Sequence, residues 1–229
     1  MGMKDQPKAI GFLSLYPIVG LVVFAAMTLI LAEISEDIIN REPITVTDAE
    51  LSSWLHSHAT PSLTRANFVV TYFGSTALVT CIAIAFGLYF IRRRQFYWLA
   101  ALIAAVAGGG LLNKILKYVF HRPRPLFPNP LLKLSSYSFP SGHTMMATVL
   151  YGSLAAYLLS RTTSWSKRVL IILATVCLIA VVGSSRMYLG AHYLSDVLAA
   201  LAEGLAWLSL CLLTVYSISQ QRCRKKKAG

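Results

Sequence analysis

The chain has 229 residues, of which 56% are hydrophobic and only 13% are charged, and its formal net charge is +12. This composition excludes an ordinary soluble domain and indicates a polytopic membrane protein with one domain, residues 1–229. Because the basic residues cluster at the ends of apolar runs, we interpret them as a topology signal and expect no nucleic-acid partner. The predicted fold class is all-α, with six transmembrane helices in a bundle and a short amphipathic external helix.

The first apolar run, about residues 10–32, predicts a membrane anchor, because it is too long for the core of a signal peptide. The stretch 33–66 carries six of the nine acidic residues and is expected outside the cell. Within it, Thr47 and Glu50 have the spacing of a capping box. The apolar residues that follow predict a short amphipathic helix in the outer interface, with Trp54 as its anchor.

Five further apolar runs predict the remaining spans. They cover about residues 67–91, 96–120, 141–160, 169–187 and 193–217. Basic clusters lie after the second, fourth and sixth apolar runs. They are Arg92–Arg94, Arg161–Arg168 and Arg222–Lys227. Since basic flanks favour the cytoplasmic side, we expect a multi-pass protein of the cell (inner) membrane with both termini in the cytoplasm.

Three short polar motifs interrupt the apolar runs in the second half of the chain. They are Lys117-x6-Arg124-Pro125, Pro140-Ser-Gly-His143, and Ser185-Arg186-x5-His192-x3-Asp196. Ionisable side chains beside a membrane core are costly, so their presence indicates a functional site. The predicted topology places all three motifs at the outer side, facing the periplasm or exterior, where basic clusters are otherwise absent from the predicted pattern.

The cations of these motifs suit phosphoryl transfer, which requires neutralisation of the phosphate oxygens. Lys117, Arg124 and Arg186 would supply that charge, and the arginine fork matches phosphate geometry. Ser141 and Gly142 follow a proline at a predicted helix start, where free N–H groups bind anions.

The histidines supply the remaining chemistry. His192 and Asp196 are four residues apart and share one face of a helix, so the carboxylate can fix the imidazole tautomer and leave the other nitrogen free to attack. His143 would then protonate the leaving oxygen. Arg122, in the first of two Arg-Pro pairs, is a candidate auxiliary contact to phosphate or headgroup.

Together the motifs resemble the type 2 phosphatidic acid phosphatase family, also called lipid phosphate phosphatases. That family's pattern is Lys-x6-Arg-Pro, Pro-Ser-Gly-His and Ser-Arg-x5-His-x3-Asp, and all parts occur here in order, over roughly residues 60–215. The resemblance implies that His192 forms a phosphohistidine, that Asp196 orients it and that His143 is the general acid. It also implies five phosphate-binding residues: Lys117, Arg124, Ser141, Gly142 and Arg186. The family uses no metal or other cofactor, and this sequence offers no carboxylate cluster for magnesium.

The implied function is hydrolysis of the phosphate monoester or diphosphate of a lipid at the outer membrane boundary. Candidate substrates are phosphatidic acid, phosphatidylglycerol phosphate and undecaprenyl diphosphate, and the sequence does not choose among them. The alternatives are a phosphatase of a small soluble ester, and a non-catalytic lipid-binding protein or transporter. An intact nucleophile and acid argue against the non-catalytic readings. Expected partners are the lipid substrate and membrane lipids, with no obligate protein partner.

One further hypothesis concerns charges deeper in the bundle. Glu203 lies two helical turns past Asp196 on the same face, roughly 10 Å deeper. Lys114 lies about one turn below Lys117 on the third span. We therefore hypothesise that Lys114 and Glu203 form a buried pair, or are joined through Asn113, and hold these spans in register. The alternatives are a protonated Glu203 bonded to a carbonyl or hydroxyl, and a Lys114 that reaches the interface.

Overall fold

The computed structural model describes the backbone of residues 7–132 and 134–228, and the side chains of residues 17–132 and 134–217. Over these residues the chain forms nine α-helices and no strand. The helices are α1 (Pro7–Asn40), α2 (Pro43–Ser57), α3 (Pro61–Thr71), α4 (Thr76–Arg92), α5 (Phe96–Ile103), α6 (Gly109–Phe120), α7 (Gly142–Arg161), α8 (Trp165–Tyr188) and α9 (Leu194–Ala228). The predicted all-α membrane fold is therefore confirmed. The predicted cytoplasmic segments 1–8 and Arg222–Lys227 fall on residues whose side chains lie outside the described part.

The external segment differs from its prediction at both ends. Helix α1 continues past residue 32 to Asn40, because nothing breaks it before Arg41, whose φ is 58°, and Pro43. The short external helix exists, but it begins at Pro43, since proline suits the first helical position. The hydroxyl of Thr47 donates back to the Pro43 carbonyl at 3.4 Å, so the predicted capping box does not form.

The number of spans also differs from six. Within the described residues, four helical segments are long and apolar enough to cross a membrane: Pro17–Asn40, Phe96–Phe120, Trp165–Tyr188 and Leu194–Ser217. A fifth span arises if α3 and α4 are counted together. These two helices are bent by 43° at a break that contains the 3₁₀ turn Tyr72–Gly74. The predicted second span is thus a broken helix that begins earlier, at Pro61.

Helix α7 is the fourth predicted span, and it is too polar to count among these apolar segments. It has 20 residues, a length of about 30 Å, which is enough to cross the hydrocarbon core. It packs against α4, α5, α6, α8 and α9. Its buried hydroxyls on Thr148 and Ser153 donate to backbone carbonyls one turn earlier in the helix. Because α7 is surrounded by protein rather than lipid, it does not need a uniformly apolar surface.

The third predicted span, which carries Lys117 near its end, packs closely against α7 and α9. A π-helical turn, Ala104–Gly108, separates α5 from α6, and the indole of Trp207 donates to the Ala104 carbonyl at 3.0 Å. A Cβ at Gly108 would lie 2.5 Å from the Trp207 ring, and one at Gly109 would lie 2.4 Å from Met145. Glycine at position 108 therefore permits the close approach of the π-helical turn to the Trp207 ring, whereas a side chain at position 109 would displace the flexible end of Met145.

Candidate active site

The structure brings all eight predicted site residues to one end of the bundle. They arrive on the end of α6 (Lys117), the following loop (Arg124), the start of α7 (Ser141, Gly142, His143), the end of α8 (Arg186), the α8–α9 turn (His192) and the start of α9 (Asp196). Helices α6 and α8 run toward this end, and α7 and α9 begin there. Helix ends thus collect side chains that are far apart in sequence.

The centre of the site is a buried histidine–carboxylate pair. His192 is 2% exposed and Asp196 is fully buried. Nδ1 of His192 lies 3.4 Å from Oδ2 of Asp196, as their four-residue spacing predicts. Further donors hold both oxygens of the carboxylate. Arg122 donates to Oδ1 at 2.6 Å, and the Tyr193 N–H donates to Oδ2 at 2.9 Å. The hydroxyl of Ser138 also donates to Oδ2.

His192 is set up as a neutral imidazole. Burial lowers the pKa of His192 below its ordinary value, although Asp196 opposes this effect. Nδ1 is the ring nitrogen nearer the carboxylate, although it forms no hydrogen bond among the described residues. A proton on Nδ1 would leave the lone pair on Nε2. This atom is 3.2 Å from Nη1 of Arg124. Nε2 therefore faces a cation that is able to hold the oxygens of a phosphoryl group.

Two of the three predicted cations are anchored by loop carbonyls rather than by acids. Lys117 donates to the carbonyls of Tyr137 and Ser138 at 2.9 and 3.2 Å. Arg124 donates from Nε to the Ser136 carbonyl at 2.7 Å, and its Nη1 donates to the Ala191 carbonyl. Neutral acceptors fix these side chains without cancelling their charge, so the charge stays available to an anion.

Arg186 is held from the opposite side by an element that the sequence did not assign to the site. It is 4% exposed, and its Nη1 donates to the hydroxyl of Thr71 on α3 at 2.8 Å. Its Nε is buried without a hydrogen-bond partner among the described residues. Next to it, a Cβ at Gly74 would lie 2.7 Å from the His143 carbonyl, so the break between α3 and α4 packs directly on the start of α7.

The start of α7 is positioned by its neighbours. The Ser141 N–H donates to the backbone carbonyl of Asp196 at 3.0 Å, which joins the first residues of α7 and α9. A Cβ at Gly142 would lie 3.3 Å from the Asn113 amide oxygen and 3.9 Å from Lys117. His143 lies near enough to His192, Arg186, Arg124 and Lys117 for their charges to interact.

Arg122 does not have the predicted role of a phosphate or headgroup contact. Both ends of its guanidinium are occupied by carboxylates, Asp48 at 2.8 Å and Asp196 at 2.6 Å. Asp48 comes from the external helix α2 and is 1% exposed. Sequence reasoning assigned this aspartate to the first turn of an interfacial helix and missed it as a site residue. Its only sequence signal is its position in an acidic stretch expected on the same side as the motifs.

The predicted Lys114–Glu203 pair is wrong, although Asn113 does contact Glu203. The amide of Asn113 donates to Oε2 of Glu203 at 2.8 Å, whereas Lys114 is exposed. No hydrogen bond or ion pair joins Lys114 to Glu203 in the described part of the chain. Consecutive helical residues point about 100° apart, so only one of them faces α9. Asn113 thus links the buried carboxylate of α9 to the glycine at the start of α7.

We expect Asn113→Leu to lower the free energy of unfolding by about 1–3 kcal/mol, because a buried carboxylate loses its partner. Lys114→Met is the matched control on the neighbouring residue, and we expect a change within about 0.5 kcal/mol. Unfolding of the purified protein in detergent measures both. A larger loss for the lysine variant would restore the pair that the sequence suggested.

Within the described residues, no group of three or more His, Cys, Asp or Glu side chains is arranged to hold a metal ion. Lys117, Arg124 and Arg186 bring positive charge to this end of the bundle, and Arg124 contacts His192. The site is therefore built for an anionic group beside a neutral imidazole.

Comparison with known proteins agrees with this geometry. Among curated proteins, the chain is 38% identical over 149 residues to phosphatidylglycerophosphatase B of Bacillus subtilis, covering 63% of this chain and 71% of the relative. It is 31% identical over 175 residues to lipid A 1-phosphatase of Rhizobium etli, covering 65% of this chain and 69% of the relative. Both names describe phosphatases of membrane lipids.

Two solved structures share the fold. The crystal structure of a transmembrane PAP2-type phosphatidylglycerolphosphate phosphatase from Bacillus subtilis matches with a TM-score of 0.72 and 28% identity, over 84% of this chain and 94% of that one. Aquifex aeolicus LpxE matches with a TM-score of 0.57 and 26% identity, over 72% and 94%. The profile of the PAP2 superfamily matches residues 98–219, more than half of the chain and every motif described above. With its motifs gathered at one end of a bundle of the same fold, this integral membrane protein belongs to the PAP2 superfamily.

Proposed function

We propose that the protein is a metal-independent lipid phosphatase that hydrolyses the phosphate monoester or diphosphate of a membrane lipid through a phosphohistidine at His192. The observation that carries this proposal is the position of His192. Its Nδ1 faces Asp196 at 3.4 Å, and its Nε2 faces Arg124 at 3.2 Å. Nε2 accepts from Arg124 here, and a phosphoryl group whose oxygens take over that arginine would leave the lone pair directed at phosphorus.

The proposed reaction has two steps. In the first, the Nε2 lone pair of His192 forms a bond to phosphorus while the bond from phosphorus to the leaving oxygen breaks. That oxygen takes a proton from His143. In the second, water loses a proton to His143 and attacks phosphorus, which breaks the N–P bond and releases inorganic phosphate. Lys117, Arg124 and Arg186 hold the phosphoryl oxygens throughout.

A cavity beside the site supports a lipid as the substrate. It has a volume of about 230 Å³ and adjoins Ala191, the residue before His192. Its wall combines apolar and polar surface, with Leu126, Phe127 and Leu134 among the lining residues, and Arg124 supplies its charge. Apolar surface next to a phosphate site fits a leaving group that carries hydrocarbon close to its phosphate.

The substrate is tested with purified protein and a panel of phosphate compounds. The panel contains phosphatidic acid, phosphatidylglycerol phosphate, undecaprenyl diphosphate and a soluble phosphate ester, each with and without EDTA. We expect phosphate release from at least one lipid, slow release from the soluble ester, and no loss with EDTA, because three cations supply the charge. Vanadate should inhibit by occupying the same site. Activity on the soluble ester alone, or activity that EDTA removes and a divalent ion restores, would contradict the proposal.

We also propose that the site faces the periplasm or exterior of the inner membrane, with both termini in the cytoplasm. The basic clusters at Arg92–Arg94 and around Arg161–Arg168 support this orientation, since basic residues favour the cytoplasmic side. The loop that covers the site and the turn between α7 and α8 lie at opposite ends of α7, about 30 Å apart.

Sidedness is measured by cysteine labelling in a background that lacks the four native cysteines. Asn129 and Ser164 are both exposed, the first in the loop over the site and the second in the α7–α8 turn. We expect an impermeant thiol reagent to label Asn129→Cys in intact cells and to label Ser164→Cys only after permeabilisation. The reverse pattern would place the chemistry in the cytoplasm.

A further inference from the structure

The external helix α2 contributes a carboxylate to the interior of the site. Asp48 is 1% exposed, although it lies on a helix outside the candidate spans. Its Oδ1 accepts from the Ser195 N–H at 2.9 Å, and its Oδ2 accepts from Arg122 at 2.8 Å and from the Ser195 hydroxyl. Helix α2 therefore turns a polar face toward the start of α9. A buried acid that the proposed reaction does not use requires an explanation.

Arg122 connects this acid to the catalytic pair. Its Nη2 binds Asp48, while its Nη1 binds Asp196 at 2.6 Å and the Ser195 hydroxyl at 2.7 Å. The guanidinium also lies over the Tyr193 ring, 4.5 Å from the centroid. One cation is thus shared between two carboxylates, and only Asp196 contacts His192.

The charge balance of this triad matters for the first chemical step. With both acids ionised, Asp48, Arg122 and Asp196 carry a net charge of −1. When Nε2 of His192 forms its bond to phosphorus, the imidazole keeps its Nδ1 proton and becomes positive. The bond from phosphorus to the lipid oxygen breaks, and that oxygen takes the proton of His143. A negative triad stabilises the new positive charge, whereas a neutral one does not.

We propose that Asp48 is a positioning residue that shares Arg122 with Asp196, so that Asp196 keeps the negative charge needed to stabilise a positive His192. Without Asp48, Arg122 would pair with Asp196 alone, cancel its charge and draw the carboxylate away from the imidazole. This inference rests on the proposed phosphohistidine mechanism. It makes α2 part of the catalytic apparatus rather than only a helix at the interface.

The test compares four variants with the wild type, using a lipid substrate that the wild type hydrolyses. Asp48→Asn removes the charge, and we expect kcat to fall about tenfold or more with little change in KM, because Asp48 lies behind Arg122. Asp48→Asn combined with Arg122→Gln returns the triad to a net charge of −1. We expect the kcat of this double variant to be at least about threefold higher than that of Asp48→Asn alone. Asp48→Glu keeps the charge and should stay within about threefold of wild type. Glu50→Gln, an exposed acid on the same helix, is the matched control and should leave kcat unchanged.

The double variant distinguishes two roles of Asp48: setting the net charge of the triad, and holding α2 in place. If Asp48 only holds the helix, removal of Arg122 as well makes the protein worse, and kcat falls further or stays low. That result overturns the inference, as does a wild-type kcat for Asp48→Asn. If Asp48→Asn does not fold, Asp48→Glu decides, because loss of its kcat would show that charge is not what matters. His192→Ala is measured in the same series to separate the phosphohistidine mechanism from the role of Asp48. An inactive His192→Ala variant supports the mechanism, whereas an active one contradicts the mechanism itself.

Discussion

Replacement of His192 by alanine is expected to abolish turnover, with kcat lower by about 10⁴-fold or more. No other described side chain presents a lone pair between Asp196 and Arg124, so the first bond to phosphorus cannot form. The protein should still fold, because the His192 ring contributes only its 3.4 Å contact to Asp196 and its 3.2 Å contact to Arg124, while three other groups hold that carboxylate.

The measurement is phosphate release together with acid-labile phosphoprotein trapped during turnover. Wild-type protein should show a phosphohistidine, and His192→Ala should show none. His58→Ala is the matched control, because His58 is an exposed histidine of the α2 C-terminus. Normal turnover by a folded His192→Ala would remove the nucleophile from the proposal, whatever the substrate.

The apolar pattern of the sequence was enough to predict the long helices with exposed apolar surfaces. It was less informative about α7, which is surrounded by other helices. The segment Phe96–Phe120 was placed from hydrophobicity and basic flanks alone. Residues 141–160 were predicted as an apolar run, but α7 is more polar than the other spans, because protein surrounds it and its buried hydroxyls bond to their own helix. The bend at Tyr72–Gly74 was also missed, since it depends on the close contact of Gly74 with His143 in another helix.

The site residues within motifs were predictable because their spacing is local. His192 and Asp196 were expected to meet on one helix face, and they do meet, but His192 lies in the turn just before α9 and Asp196 lies in the first turn of that helix. Thr71 and Asp48 were not predictable in this way. They meet Arg186 and Ser195 across 115 and 147 residues, so only the packing of whole helices decides these contacts. Arg122 shows the same limit, since its place in an Arg-Pro pair beside the motif suggested a phosphate contact and its partners in the structure are acids.

The second large effect is expected for Asp196→Asn, which keeps the shape of the side chain and removes its charge. We expect kcat to fall by up to about 10⁴-fold, the scale on which a mispaired histidine tautomer acts in a comparable acid–histidine pair. Stability should also fall, by about 1–3 kcal/mol, because Arg122 and Ser138 donate to this carboxylate inside the protein. The backbone bond from Ser141 N–H to the Asp196 carbonyl is untouched, so the start of α7 should stay in place and KM should change little.

The measurements are kcat, KM and thermal unfolding in detergent, with Glu36→Gln on the exposed face of α1 as the isosteric control. An Asp196→Asn variant that kept kcat within about threefold would show that the carboxylate anchors Arg122 and does not orient the nucleophile.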